Sequence, residues 1–259
     1  MTRSGFLRHT LIATAALCTV ALTALAGGAA RAADEAPPVA AEAREAVMRM
    51  GKTLSAEAFS FHNGTIREYA GANGEPLHIF HAADVTVRRP DRFLVDVAGD
   101  DGVVRMAFDG KDLTVYSAAT NKYATLSAPG SIEDMLRLAS SKIGVDFPLA
   151  DLLAESPAQA VLSDVTTGYM VNTVPIGGVP CRHLFLTQPP GLELELWLED
   201  NEKALPRRLI VTYRSLPGEP RLIAEMFGWR LGTRPSDAEF TFLMPDGATK
   251  MEIGQERAK

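Results

Sequence analysis

Apolar residues recur along this chain with two different periods. Val39, Ala43, Val47, Met50 and Leu54 fall three and four apart, which predicts an amphipathic helix. Beyond Leu54 the period shortens to two. Leu77, Ile79, Val85 and Val87 share one parity, behind an Asn73-Gly74 pair that suits a hairpin turn. Phe93, Val95 and Val97 alternate next, then Val104, Met106 and Phe108, with Asp109-Gly110 turning the chain toward Leu113 and Val115. The pattern predicts an antiparallel meander of short strands.

Pro129 breaks the meander. Ser131 followed by Asp134 is a capping-box signal, and Ile132, Met135, Leu136, Ala139 and Ile143 continue at helical spacing. Residues 148–154 predict a second short helix, and Gly144 and Pro148 bracket a hinge position. Alternation resumes over residues 165–174 and 181–186. It is cleanest at Leu192, Leu194, Leu196 and Leu198, with Glu193, Glu195 and Trp197 on the opposite face. Leu209, Val211 and Tyr213 follow, then Leu222, Ala224 and Met226, and a last strand is expected at Phe240 and Phe242. Two strand blocks around one helical insert predict an α+β fold, mainly β, built on one large antiparallel sheet with helices on one face.

The N-terminus changes the picture of where the chain works. Arg3, Arg8 and His9 precede an apolar run over residues 11–26, and Ala30-Arg31-Ala32 offers small residues where a signal peptidase reads. Residues 1–32 are expected to be a signal peptide for the general secretory route, cut after Ala32, leaving residues 33–259 as a single domain. The run is short for a spanning helix, and Cys18 lacks the small preceding residue of a lipid-attachment signal. Removing three arginines and no acid takes the formal net charge from −6 to −9. That acidity argues against nucleic acid and anionic membrane surfaces as partners. A soluble periplasmic protein is expected. Cys181 is then the sole cysteine, so no internal disulfide can form.

Candidate chemistry is sparse. Cys181 and His183, two apart on a predicted strand, face one side, but no further Cys or His stands at a ligand spacing, so neither a metal nor a cofactor is expected. The pair also lacks a third group that would orient it as nucleophile and base. Glu193, Glu195, Glu199 and Asp200 are read as a solvated strand face rather than an acid–base pair. Phosphate-loop, dinucleotide, zinc-protease and serine-elbow motifs are absent from the sequence.

Over residues 85–116 the chain reads Val-Thr-Val-Arg-Arg-Pro-Asp-Arg-Phe and, after a turn, Asp-Gly-Lys-Asp-Leu-Thr-Val-Tyr. This resembles the periplasmic lipoprotein carrier LolA and its relatives, as do residues 238–242 with the turn Pro245-Asp246-Gly247-Ala248. Residues 177–184 (Gly-Gly-Val-Pro-Cys-Arg-His-Leu), Trp197-Leu198 and Leu205-Pro206 instead resemble an uncharacterised family of predicted periplasmic proteins. The chain is identified as a member of that family within the LolA-like superfamily.

The resemblance implies a curved, incomplete antiparallel barrel whose apolar concave face lies under helices and holds a lipid or a lipoprotein acyl chain without catalysis. Burying such a chain contributes roughly 0.8 kcal/mol per methylene. Cavity-lining positions would be Val95, Val97, Met106, Phe108, Val115, Leu194, Leu196, Leu198, Val211 and Met226. A lid would use Ile132, Met135 and Leu136, with Arg89 at the position of the LolA arginine that hydrogen-bonds lid-helix backbone. Alternation alone equally describes a filled core under a helix, and a filled core would suit an envelope sensor or protein-interaction module with an exposed apolar patch.

Overall fold

A computed structural model describes residues 39–144 and 147–252; the expected signal peptide, residues 1–32, lies outside the described residues. Helix α1 (Ala41–Leu54) buries Ala43, Ala46, Val47, Met50 and Leu54, the stripe its spacing predicts. Gly51 lets this helix lie close on a later one, because a Cβ there would come within 2.4 Å of the Ala158 Cβ.

Two long strands follow, β1 (Ala58–Ala70) and β2 (Pro76–Arg88), joined by a turn in which Gly74 holds φ +83°. The meander continues through β3 (Arg92–Gly99), β4 (Gly102–Phe108), β5 (Asp112–Ser117) and β6 (Lys122–Ser127). Helix α2 (Ile132–Ile143) starts with the expected capping box: the Asp134 N–H donates to Ser131 Oγ at 3.1 Å, and the Asp134 carboxylate accepts from the Ser131 N–H. It ends at Gly144 in the left-handed region. The insert goes on through α3 (Ala150–Leu153) and α4 (Pro157–Leu162). A second meander comprises β7 (Thr167–Ile176), β8 (Val179–Gln188), β9 (Leu192–Glu199), β10 (Pro206–Tyr213) and β11 (Arg221–Leu231), and β12 (Thr249–Lys250) is a short terminal strand.

These twelve strands form one sheet in the order β12-β6-β5-β4-β3-β2-β1-β11-β10-β9-β8-β7. Pairing of β1 with β11 joins the two meanders, and its register sets Asn63 opposite Met226 and Thr65 opposite Ala224. The end strands β12 and β7 are not neighbours, so the sheet stays open. Each neighbouring pair is antiparallel except β12 with β6, a short parallel pair that departs from the all-antiparallel expectation. The concave face carries Phe59, Val87, Phe93, Phe108, Leu113, Leu184, Leu186, Leu196, Leu198, Leu222 and Met226 into one core with α1 and α2.

Strand β1 was not anticipated, and neither was α4. Phe240 and Phe242 are not in a strand: residues Asp237–Phe240 form one 3-10 turn, started by a capping box between Ser236 and Glu239. The apolar-polar-apolar spacing of Phe240 and Phe242 suits either conformation, and the cap decides it. Phe240 is buried beneath the Arg88 guanidinium, 5.4 Å from its ring centre.

A candidate ligand-binding trough on the concave face

Sheet pleating puts alternate residues of β1 on the concave face. In order along the strand they are Phe59, Phe61, Asn63, Thr65, Arg67 and Tyr69. The first three are buried and Tyr69 is exposed, so the row passes from aromatic rings through an amide and a hydroxyl to a guanidinium at the outer end. Opposite them, β2 supplies Val85, Ala83 and His81, and β3 and β4 supply Phe93, Val95, Val97, Val104 and Met106. Residues 147–149 and Leu153 cover this surface from the helical side. The space enclosed is a recess of about 280 Å³, close to the lower end of the roughly 300–1,000 Å³ typical of small-molecule sites.

The inner lining is apolar and the outer end is polar. There His81 Nε2 pairs with Asp101 Oδ1 at 2.8 Å, and the Arg67 guanidinium lies 6.0 Å from the Tyr69 ring centre. Asn63 is only 8% exposed, and among the described residues its Oδ1 has no hydrogen-bond donor. A second recess, of about 180 Å³, lies on the other side of residues 147–149. Leu186, Leu192, Leu194, Leu196, Leu209 and Val211 form its floor, with Val161 and Tyr213 beside them. Phe147, Pro148 and Leu149 line both spaces.

Of the positions expected to line a cavity, Val95, Val97 and Met106 face the larger recess, and Leu194, Leu196 and Val211 the smaller. Phe108, Leu198 and Met226 are wholly buried among core side chains and line neither space; Val115 packs against that core and also lines neither. On α2, Ile132, Met135 and Leu136 are buried.

Arg89 donates from Nη1 to the Leu153 carbonyl at 2.8 Å and from Nη2 to the Leu54 carbonyl at 3.0 Å. These carbonyls belong to the last turns of α3 and α1, where helix geometry leaves acceptors without intrahelical partners. The bonds therefore run to α1 and α3, whereas the expected lid residues sit on α2. The guanidinium also lies 5.8 Å from the Phe59 ring centre. Burial lowers its pKa, and the charges of Glu155 and Glu133 oppose that shift.

The convex face carries the chemistry weighed from the sequence. Cys181 is buried, its thiol donates to the Val179 carbonyl at 3.3 Å, and burial raises its pKa. His183 stacks on Trp197 with ring centres 4.0 Å apart and bonds Glu195 at 2.9 Å. Trp197 is thus on the predicted face, yet buried by that stack. Glu193, Glu199 and Asp200 pair with Arg214, Arg207 and Arg182. Among the described residues, no three His, Cys, Asp or Glu side chains converge as a metal site, and no helix is long and apolar enough to cross a membrane.

Site residues not expected from the sequence are Asn63 in the inner lining and Thr65, Arg67, Tyr69, His81 and Asp101 at the polar end. The period-two row along β1 is the signal that would have located the first four.

No curated protein matches the chain in sequence. Solved structures similar to it include an uncharacterised conserved protein from Thermus thermophilus, 12% identical with a TM-score of 0.48 over 80% of this chain and 97% of that one. The Mycobacterium tuberculosis lipoprotein LppX is 17% identical, with a TM-score of 0.46 over 74% of this chain and 96% of its own. A LolA superfamily protein from Nitrosomonas europaea is 13% identical, with a TM-score of 0.39 over 77% and 98%. A family model described as "Predicted periplasmic protein (DUF2092)" matches residues 43–254. That match spans most of the sequence, and the chain belongs to the DUF2092 family of predicted periplasmic proteins.

Proposed function

We propose that this protein is a non-catalytic periplasmic carrier or chaperone that holds a lipid, or the acyl part of a lipoprotein, in the concave trough. In this reading residues 1–32 are a signal peptide removed on export, and residues 33–259 act as one domain. The observation that carries it is the larger recess, whose inner wall of Phe61, Val85, Phe93, Val95, Val97 and Met106 is apolar while its outer end is polar. An acyl chain would bury its methylenes on that wall and leave its head group at the outer end. Each buried methylene contributes about 0.8 kcal/mol, so a chain of about twelve contributes ~10 kcal/mol against association costs of several kcal/mol. Arg89 would act as the gate, because its two bonds tie the covering segment at Leu153 to the end of α1.

Native mass spectrometry with lipid extraction, on mature protein taken from its own periplasm, tests the reading. The expected result is a stoichiometric lipid whose occupancy changes in Arg89→Leu. Protein that is empty in both forms and indifferent to added acyl ligands would instead favour an envelope partner protein as the thing bound.

A further inference from the structure

Asn63 is the one concave-face residue in the inner half of β1 that is not apolar. It is more than nine-tenths buried, it lines the larger recess, and among the described residues its Oδ1 lacks a donor. A buried acceptor left without a donor loses its hydration and gains nothing in return, typically about 1–3 kcal/mol. An apolar side chain of similar size would avoid that cost, as Phe59 and Phe61 do on the same row. The terminal torsion of asparagine is broad and roughly two-fold, so a half-turn presents Oδ1 to the recess without moving the backbone. From Asn63 the row continues outward through Thr65 to Arg67, about 13 Å along the strand at ~3.3 Å per residue.

We infer that the trough selects amphiphiles carrying a hydrogen-bond donor, a hydroxyl or an amide N–H, at the junction of acyl chain and head group. Asn63 Oδ1 accepts from that donor. The chain lies inward against Phe61, Val85 and Val95, and the head extends past Thr65 toward Arg67 and the His81–Asp101 pair. This rests on the carrier reading and adds the chemistry of the ligand to it.

Three ligands of equal chain length separate the outcomes: monolauroylglycerol with hydroxyl donors, N-methyl-lauramide with an amide donor, and methyl laurate with none. Affinities measured by displacement of a fluorescent fatty-acid probe should favour one or both donor ligands over methyl laurate by roughly three- to tenfold, the worth of one net hydrogen bond. Which of the two is preferred tells a hydroxyl from an amide source. Asn63→Leu should abolish the preference, and Asn63→Ser, which retains an acceptor, should restore part of it. Equal affinity of wild type for all three overturns the inference, needs no variant to fold, and leaves the carrier reading standing. Failure of wild type to bind any of them, with probe fluorescence unmoved, removes both.

Discussion

Arg89 and Asn63 are polar side chains set into an apolar surface, and each was legible in the sequence to a different degree. Arg89 stands in an Arg-Pro pair before an aromatic strand, a local pattern that a sequence comparison can carry. Which carbonyls it meets depends on α1 and α3 packing over it, and no local pattern encodes that. Its loss leaves the acceptors at Leu54 and Leu153 without their donor. Arg89→Leu is therefore expected to cost about 1–3 kcal/mol of stability, read as a lower urea midpoint, with faster amide exchange over residues 149–153. An unchanged midpoint would mean that water replaces both bonds. Asn63 carries no such pattern: Asn63-Gly64 is a pair common in turns, whereas it lies mid-strand.

At the scale of elements, legibility followed how completely one face is apolar. Strand β9, with leucine at every second position, was plain from alternation. Strand β1 was not, because its concave row turns polar after Phe61, where the recess opens. The capping box of α2 was readable because all its partners lie within four residues, and such a cap contributes about 1 kcal/mol. The helical insert also carries two carboxyls whose pKa values move in opposite directions. Hydrogen bonding from Ser131 lowers that of Asp134, so its contribution to stability is present at neutral pH and lost as pH falls. Partial desolvation, then the charge of Glu133, raises that of Asp151, which keeps contact with solvent, above the ordinary 3.8. The folded protein then holds the Asp151 proton more tightly than the unfolded chain, a contribution complete below 3.8 and lost as pH rises through the raised value. Asp151→Asn should accordingly match wild type in acid and melt at a higher temperature at neutral pH. A difference in melting temperature that stays constant with pH would contradict that assignment.

Across the whole sheet, the arrangement follows from two meanders joined by β1 and β11 while the outermost strands stay apart. Both meanders could be read from alternation. That they form one sheet was expected; that β1 and β11 make the seam could not be read, because strands so far apart along the chain carry no local sign of pairing. The seam matters for function, since it brings Leu222 of β11 to the recess formed by β1–β4 and leaves residues 147–149 between the two spaces. It also places Trp229 against Phe61, with ring centres 4.2 Å apart, one ring removed from the proposed ligand. The only other tryptophan, Trp197, stacks on His183 on the opposite face.

That placement gives the most direct measurement of whether the trough holds an acyl chain: titration of Trp197→Phe protein with monolauroylglycerol whose chain is brominated at its tail, following the emission of Trp229. Saturable quenching that unlabelled monolauroylglycerol reverses is the predicted result. Weak quenching that rises linearly without saturation, as for tryptophan free in solution, would contradict a ligand seated in the trough.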